Sequence, residues 1–108
     1  MTCQRSCLFC RSGRDQTRDE CLQYWSGPIH TPIVKKLPGL TKWVQNHVVG
    51  APGEPMCDGV GELWFESDET MTKALESPQM AAAVEDAKNF LDMDRTGLII
   101  VQEKTIVG

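Results

Sequence analysis

The chain has 108 residues, 41% of them hydrophobic and 24% charged, enough for one domain around one core. Its net charge of −4 gives no basic footprint for nucleic acid, and no apolar segment approaches the ~18 residues that span a bilayer. Residues 7–10 are too short an apolar run for a signal peptide, and five cysteines suit reduced thiols, so a cytoplasmic protein is expected. The charge is uneven: residues 1–50 hold seven Lys/Arg against three Asp/Glu, and residues 51–108 hold four against twelve. Without long runs of one sign, this reads as two differently charged solvated faces.

In chain order, residues 6–12 (SCLFCRS) read as a first strand. Thr17 and Glu20 form a capping box for a helix that carries Cys21, Leu22 and Trp25 on one stripe, and residues 26–28 (SGP) break it. Thr31 as N-cap and Pro32 at the first position restart a short helix. After the LPGL turn, residues 40–49 form a second strand. It places Trp43, Gln45 and His47 on one face and Leu40, Val44 and Val48 on the other. A GAPGEP loop leads to a third strand, residues 59–67, with Trp64 and Phe65 on opposite faces. Ser67 caps a helical turn over residues 68–76. Ser77 and Pro78 start a helix with the apolar stripe Met80, Ala83, Val84, Ala87, Phe90 and Leu91. Residues 98–104 (LIIVQEK) are the fourth strand.

This order, βαββαβ, predicts an α+β ferredoxin-like fold, one domain over residues 1–108 with a four-stranded antiparallel sheet and helices on one face. The run Leu98-Ile99-Ile100-Val101 is apolar on both faces, so the uncovered sheet face calls for a second copy of the chain.

Cys3, Cys7 and Cys10 have the C-x3-C-x2-C spacing of a radical-enzyme iron–sulfur site. On a strand, however, Cys10 faces away from the other two. The chain is too short for the barrel such enzymes use, and Cys21 is the one nearby candidate for a fourth ligand. No metal and no cofactor are expected, and Cys57 lies in a loop. His30 stands just before a helix start, where a partial positive charge favours neutral imidazole. There it could serve as a general base, or simply tie a loop to a backbone carbonyl. His47 is a half-exposed strand residue. Tyr24, Trp25, Trp43, Trp64 and Phe90 supply aromatic surface for a pocket or a core. Asp86 lies one turn before Phe90 and, turned inward, could orient a histidine.

The segments LQYWSGPIHTPIVKKLPGLTKWVQNHVV, DGVGELWFES and SPQMAAAVEDAKNFLD resemble the EthD-like family over roughly residues 17–103. The resemblance rests on Tyr24-Trp25, His30, Pro32, residues 37–40 (LPGL), Asp58-Gly59, residues 62–65 (ELWF), Asp86 and Phe90. It implies a dimeric α+β barrel in which two ferredoxin-like sheets pack face to face. Relatives of this look include methylmuconolactone isomerases and small polyketide-pathway lyases or dehydratases, which use a pocket histidine and no metal or organic cofactor. His30 matches that histidine, while Trp43 stands where Tyr is usual, removing a phenol from the mechanism.

The expected activity is therefore that of a cofactor-free lyase or isomerase acting on a small apolar cyclic or aromatic compound. His30 is the catalytic candidate, and Tyr24, Trp43, His47, Trp64 and Asp86 are the substrate-binding ones. The alternatives are a non-catalytic binding or accessory protein and a structural dimer with a filled core, which a cavity too small for a ring would favour. The expected partners are a small molecule and a second copy, with neither nucleic acid nor membrane.

Overall fold

The computed structural model describes residues 17–108 in full and residues 4–10 by their backbone. The elements are β1 (Gln4–Cys10), α1 (Arg18–Trp25), α2 (Thr31–Val34), β2 (Leu40–His47), β3 (Gly59–Phe65), α3 (Asp68–Leu75), α4 (Pro78–Ala87) and β4 (Gly97–Gln102). The cysteines at 3, 7 and 10 were expected to bind nothing; their side chains lie outside the described residues.

Local chemistry sets the helix starts. Thr17, Ser67 and Ser77 each accept a hydrogen bond from the amide three residues on, at 3.1–3.2 Å, opening α1, α3 and α4. Thr31 behaves differently: its hydroxyl donates to the Gly27 carbonyl at 2.9 Å instead of capping, and α2 begins at Thr31 itself, with His30 just before it. Pro38 and Gly39 occupy the centre of the turn that follows. It is closed by the Leu40 amide on the Leu37 carbonyl at 3.4 Å, and Gly39 takes the positive φ of 75° that such a turn requires.

The strands pair antiparallel in the order β2-β3-β1-β4, the ferredoxin-like arrangement. Along β3, Gly59, Gly61, Leu63 and Phe65 are buried, and Val60, Glu62 and Trp64 are half-buried on the other face. Leu63 and Phe65 pack with Val34, Leu37, Met71, Ala74 and Ala83, so the helices cover that face. A second cluster joins Cys21, Leu22 and Trp25 of α1 to Ala87, Phe90 and Leu91. Because α4 ends at Ala87, Phe90 and Leu91 are buried from the turn beyond it, and Val84 is exposed rather than part of the buried stripe.

Register propagates these faces across the sheet. Trp43, Gln45 and His47 oppose Leu63, Gly61 and Gly59, which puts them on the helix side. A bulge between Leu40 and Lys42 turns Leu40 to the same side, opposite Phe65, and not to the face of Val44. On β4, Leu98, Ile99 and Ile100 remain 40%, 45% and 57% exposed in the single chain. No helix among the described residues is long and apolar enough to cross a membrane.

Candidate active site

His30 is 5% exposed, held where α2 begins. Its Nδ1 lies 2.8 Å from Asp86 Oδ2, a residue of α4 that is 56 positions away in sequence. The other carboxylate oxygen, Asp86 Oδ1, accepts the Tyr24 hydroxyl of α1 at 2.9 Å and the Asn89 side-chain amide at 3.3 Å. Phe90 packs both rings: its centroid is 4.9 Å from His30, edge-on, and 4.7 Å from Tyr24.

The electrostatics follow from this geometry. Burial pushes the Asp86 carboxyl up, but the hydrogen bonds from His30, Tyr24 and Asn89 outweigh it and hold the group below its ordinary value. The Tyr24 phenol moves the opposite way, raised by burial and by its bond to the carboxylate. A carboxylate only accepts, so His30 Nδ1 must carry the proton of that bond. In the neutral ring Nε2 is then a bare lone pair, with no partner among the described residues. The helix-dipole effect expected at His30 loses its basis. Helix α2 is a single four-residue turn, and the charge facing the ring is Asp86.

His30 lines an apolar cavity of about 50 Å³ together with Trp25, Val34, Leu37, Trp43, Gly61, Leu63 and Met80. Of the five expected substrate-binding residues, Trp43 alone reaches this cavity. Tyr24 and Asp86 stand behind the histidine and orient it. Trp64 is on the other face of the sheet, beneath the Lys42 ammonium 4.6 Å from its ring, because strand alternation sends it opposite to Leu63 and Phe65. His47 shares the helix side but belongs to a different cleft. It stacks on Trp25 at 5.2 Å, with Nε2 2.8 Å from Gln45 Oε1. Asn89, Trp25 and Met80 were not among the expected site residues. Asn89 required knowing that Asp86 turns inward, and Trp25 and Met80 read as core.

Among the described residues no group of three or more His, Cys, Asp or Glu is arranged to hold a metal. Cys21 is buried, and its thiol is pushed up to about 11 by burial and by the nearby Asp58 carboxylate, which makes it a poor nucleophile.

No curated protein is significantly similar in sequence. Solved structures are similar in fold. An ethyl tert-butyl ether D (EthD) family protein from Bacillus halodurans superposes with a TM-score of 0.74 at 23% identity, over 96% of this chain and 100% of that one. A dimeric ferredoxin-like protein of unknown function from Thermobifida fusca gives 0.67 at 14% identity, over 94% and 92%. SnoaB, a cofactor-independent oxygenase from Streptomyces nogalater, gives 0.70 at 6% identity, over 99% and 98%. At these identities the shared property is the fold, an α+β ferredoxin-like one. The EthD domain profile matches residues 13–94, most of the sequence, and the chain belongs to the EthD domain family.

Proposed function

We propose that the chain is a cofactor-free lyase or isomerase, working as a homodimer on a small, uncharged, largely apolar cyclic compound. One observation carries this reading. A buried histidine has Nδ1 tied to an ionised carboxylate and lines an apolar cavity, with Nε2 unpartnered among the described residues. Nε2 takes a proton from a carbon acid in the cavity, and Asp86 stays ionised and stabilises the imidazolium. The same nitrogen returns the proton to a second position, or to a leaving oxygen. Tyr24 and Asn89 keep Asp86 in place and add no proton of their own. Among the described residues that line it there is no Lys or Arg, so a charged substrate would lack a counter-ion from them. SnoaB supports the reading in one respect: a protein of this fold performs chemistry without a cofactor. The T. fusca protein supports the dimer in the same way.

A second reading has its own observation. A cavity of about 50 Å³ is smaller than the ~150 Å³ that accommodates benzene, as a filled core would be. The catalytic reading therefore requires the wall to yield. Met80 is the residue suited to it, half-buried and flexible, whereas Val34, Leu37 and Leu63 are buried.

The test is proton exchange. Small cyclic ketones and lactones with acidic C–H bonds are incubated with the protein in deuterated water and followed by NMR. Deuterium incorporation by the wild type should fall by ~10²–10⁴-fold in a folded His30→Gln variant. Undiminished exchange in that variant removes His30 from the mechanism, and no exchange on any probe leaves the filled-core reading.

A further inference from the structure

A larger cleft, of about 440 Å³, lies between the outer face of α1 and the end of β2, lined by Arg18, Asp19, Leu22, Gln23, Ser26, His47, Val48 and Val49. That volume falls in the ~300–1,000 Å³ range of small-molecule sites. Among the described residues, none that faces the His30 cavity lines it.

Two of its side chains are fixed from behind. Arg18 Nε donates to Asp58 Oδ1 at 2.8 Å, and Asp58 is 4% exposed, so the guanidinium is anchored by one nitrogen. Its two terminal nitrogens have no hydrogen-bond or ion-pair partner among the described residues, although Glu54 and Asp19 are near enough to act on the charge. Gln45 Nε2 donates to the Trp25 carbonyl at 2.9 Å, which aims Oε1 at His47 Nε2, 2.8 Å away. His47 Nε2 must therefore carry a proton, and in the neutral ring Nδ1 is left as an acceptor. The stack on buried Trp25 fixes the plane of that ring.

The cleft thus offers a cationic fork, a neutral acceptor and an apolar strip of Leu22, Val48 and Val49. A bare anion matches it poorly, since Asp58 already neutralises part of the guanidinium charge and Asp19 adds a negative wall. A ligand with both a carboxylate and a donor matches each wall. We propose that this cleft is a second small-molecule site, independent of His30, for a hydroxycarboxylic acid whose carboxylate pairs with Arg18 and whose hydroxyl donates to His47.

Mandelate is the probe, titrated into the full chain and followed by ¹H–¹⁵N NMR. Saturable shifts are expected at the Leu22, Val48 and Val49 amides. Arg18→Gln should weaken binding by about tenfold or more, the scale of one charge-assisted hydrogen bond. Phenylacetate, which lacks the hydroxyl, should bind more weakly than mandelate, and His30→Gln should bind mandelate as the wild type does. If Arg18→Gln, by removing a hydrogen bond of buried Asp58, fails to fold, His47→Phe decides. It keeps the stack on Trp25 but removes the acceptor, and should erase the preference for mandelate over phenylacetate. No saturable shifts, undiminished binding to folded Arg18→Gln, a preference that survives in His47→Phe, or loss of binding in His30→Gln would each overturn the proposal.

Discussion

Asp86 accepts three hydrogen bonds while shielded from most solvent, and its titration records them. With the folded carboxyl held below its ordinary value, its contribution to stability is present above about pH 3.9 and is lost as pH falls through the depressed value. Asp86→Asn should lower stability at pH 7 by about 1–3 kcal/mol and flatten the acid limb of the stability profile. Urea titrations at pH 7 and pH 3 measure both, and an acid limb unchanged from wild type would show that the carboxylate is not engaged. At this scale the sequence was informative about chemistry and weak about direction. His30 and Asp86 are identifiable from residue type and from the EthD resemblance, and an inward-turned Asp86 is one turn before Phe90, where it can orient a histidine. Alternation set Trp64 opposite Phe65 without saying which face the helices cover, and nothing local showed that His47 would not join them. Trp64 follows the alternation of β3, and His47 is drawn to the indole of Trp25 and to Gln45.

The elements themselves were largely legible, because their signals are local. Thr17, Ser67 and Ser77 each cap the helix they precede, and LPGL makes the turn that its Pro-Gly pair dictates. Apart from Thr31, whose hydroxyl bonds back to Gly27 instead of capping, the misses fall where tertiary packing decides. The bulge that turns Leu40 inward is a property of the β2–β3 pairing, and exposed Val84 shows that α4 buries a narrower stripe than its periodicity offered. Gly59 illustrates the same dependence. A methyl there would sit 2.6 Å from Trp25 Cζ3 and 3.1 Å from the Asn46 carbonyl, and Trp25 is 2% exposed. Gly59→Ala should therefore destabilise the fold by about 1–3 kcal/mol through overpacking, read as a lower urea midpoint with unchanged slope. A wild-type midpoint would mean that the α1–β3 contact is looser than described.

For the whole molecule, the two-sided apolar fourth strand predicted a second copy, and register now says which side chain it would meet. Ile99 pairs with position 7 of β1, which pairs with Glu62, so it shares the face that the helices leave open. We propose that this face is the dimer interface. Ile99→Lys should convert a particle of twice 12.0 kDa into monomer or unfolded chain, as light scattering would show, whereas a wild-type monomer at micromolar concentration would refute it. The fold has a second consequence, since it brings together Tyr24 of α1, His30 before α2 and Asp86 of α4, residues with no local reason to meet. The proposed chemistry depends on that convergence leaving His30 Nε2 as the bare nitrogen. Long-range ¹H–¹⁵N NMR of the two neutral histidine rings reads this directly. His30 should be protonated at Nδ1 with an unprotonated, pyridine-like Nε2, and Asp86→Asn should relax this preference. A His30 protonated at Nε2, with Nδ1 bare beside Asp86, would contradict it.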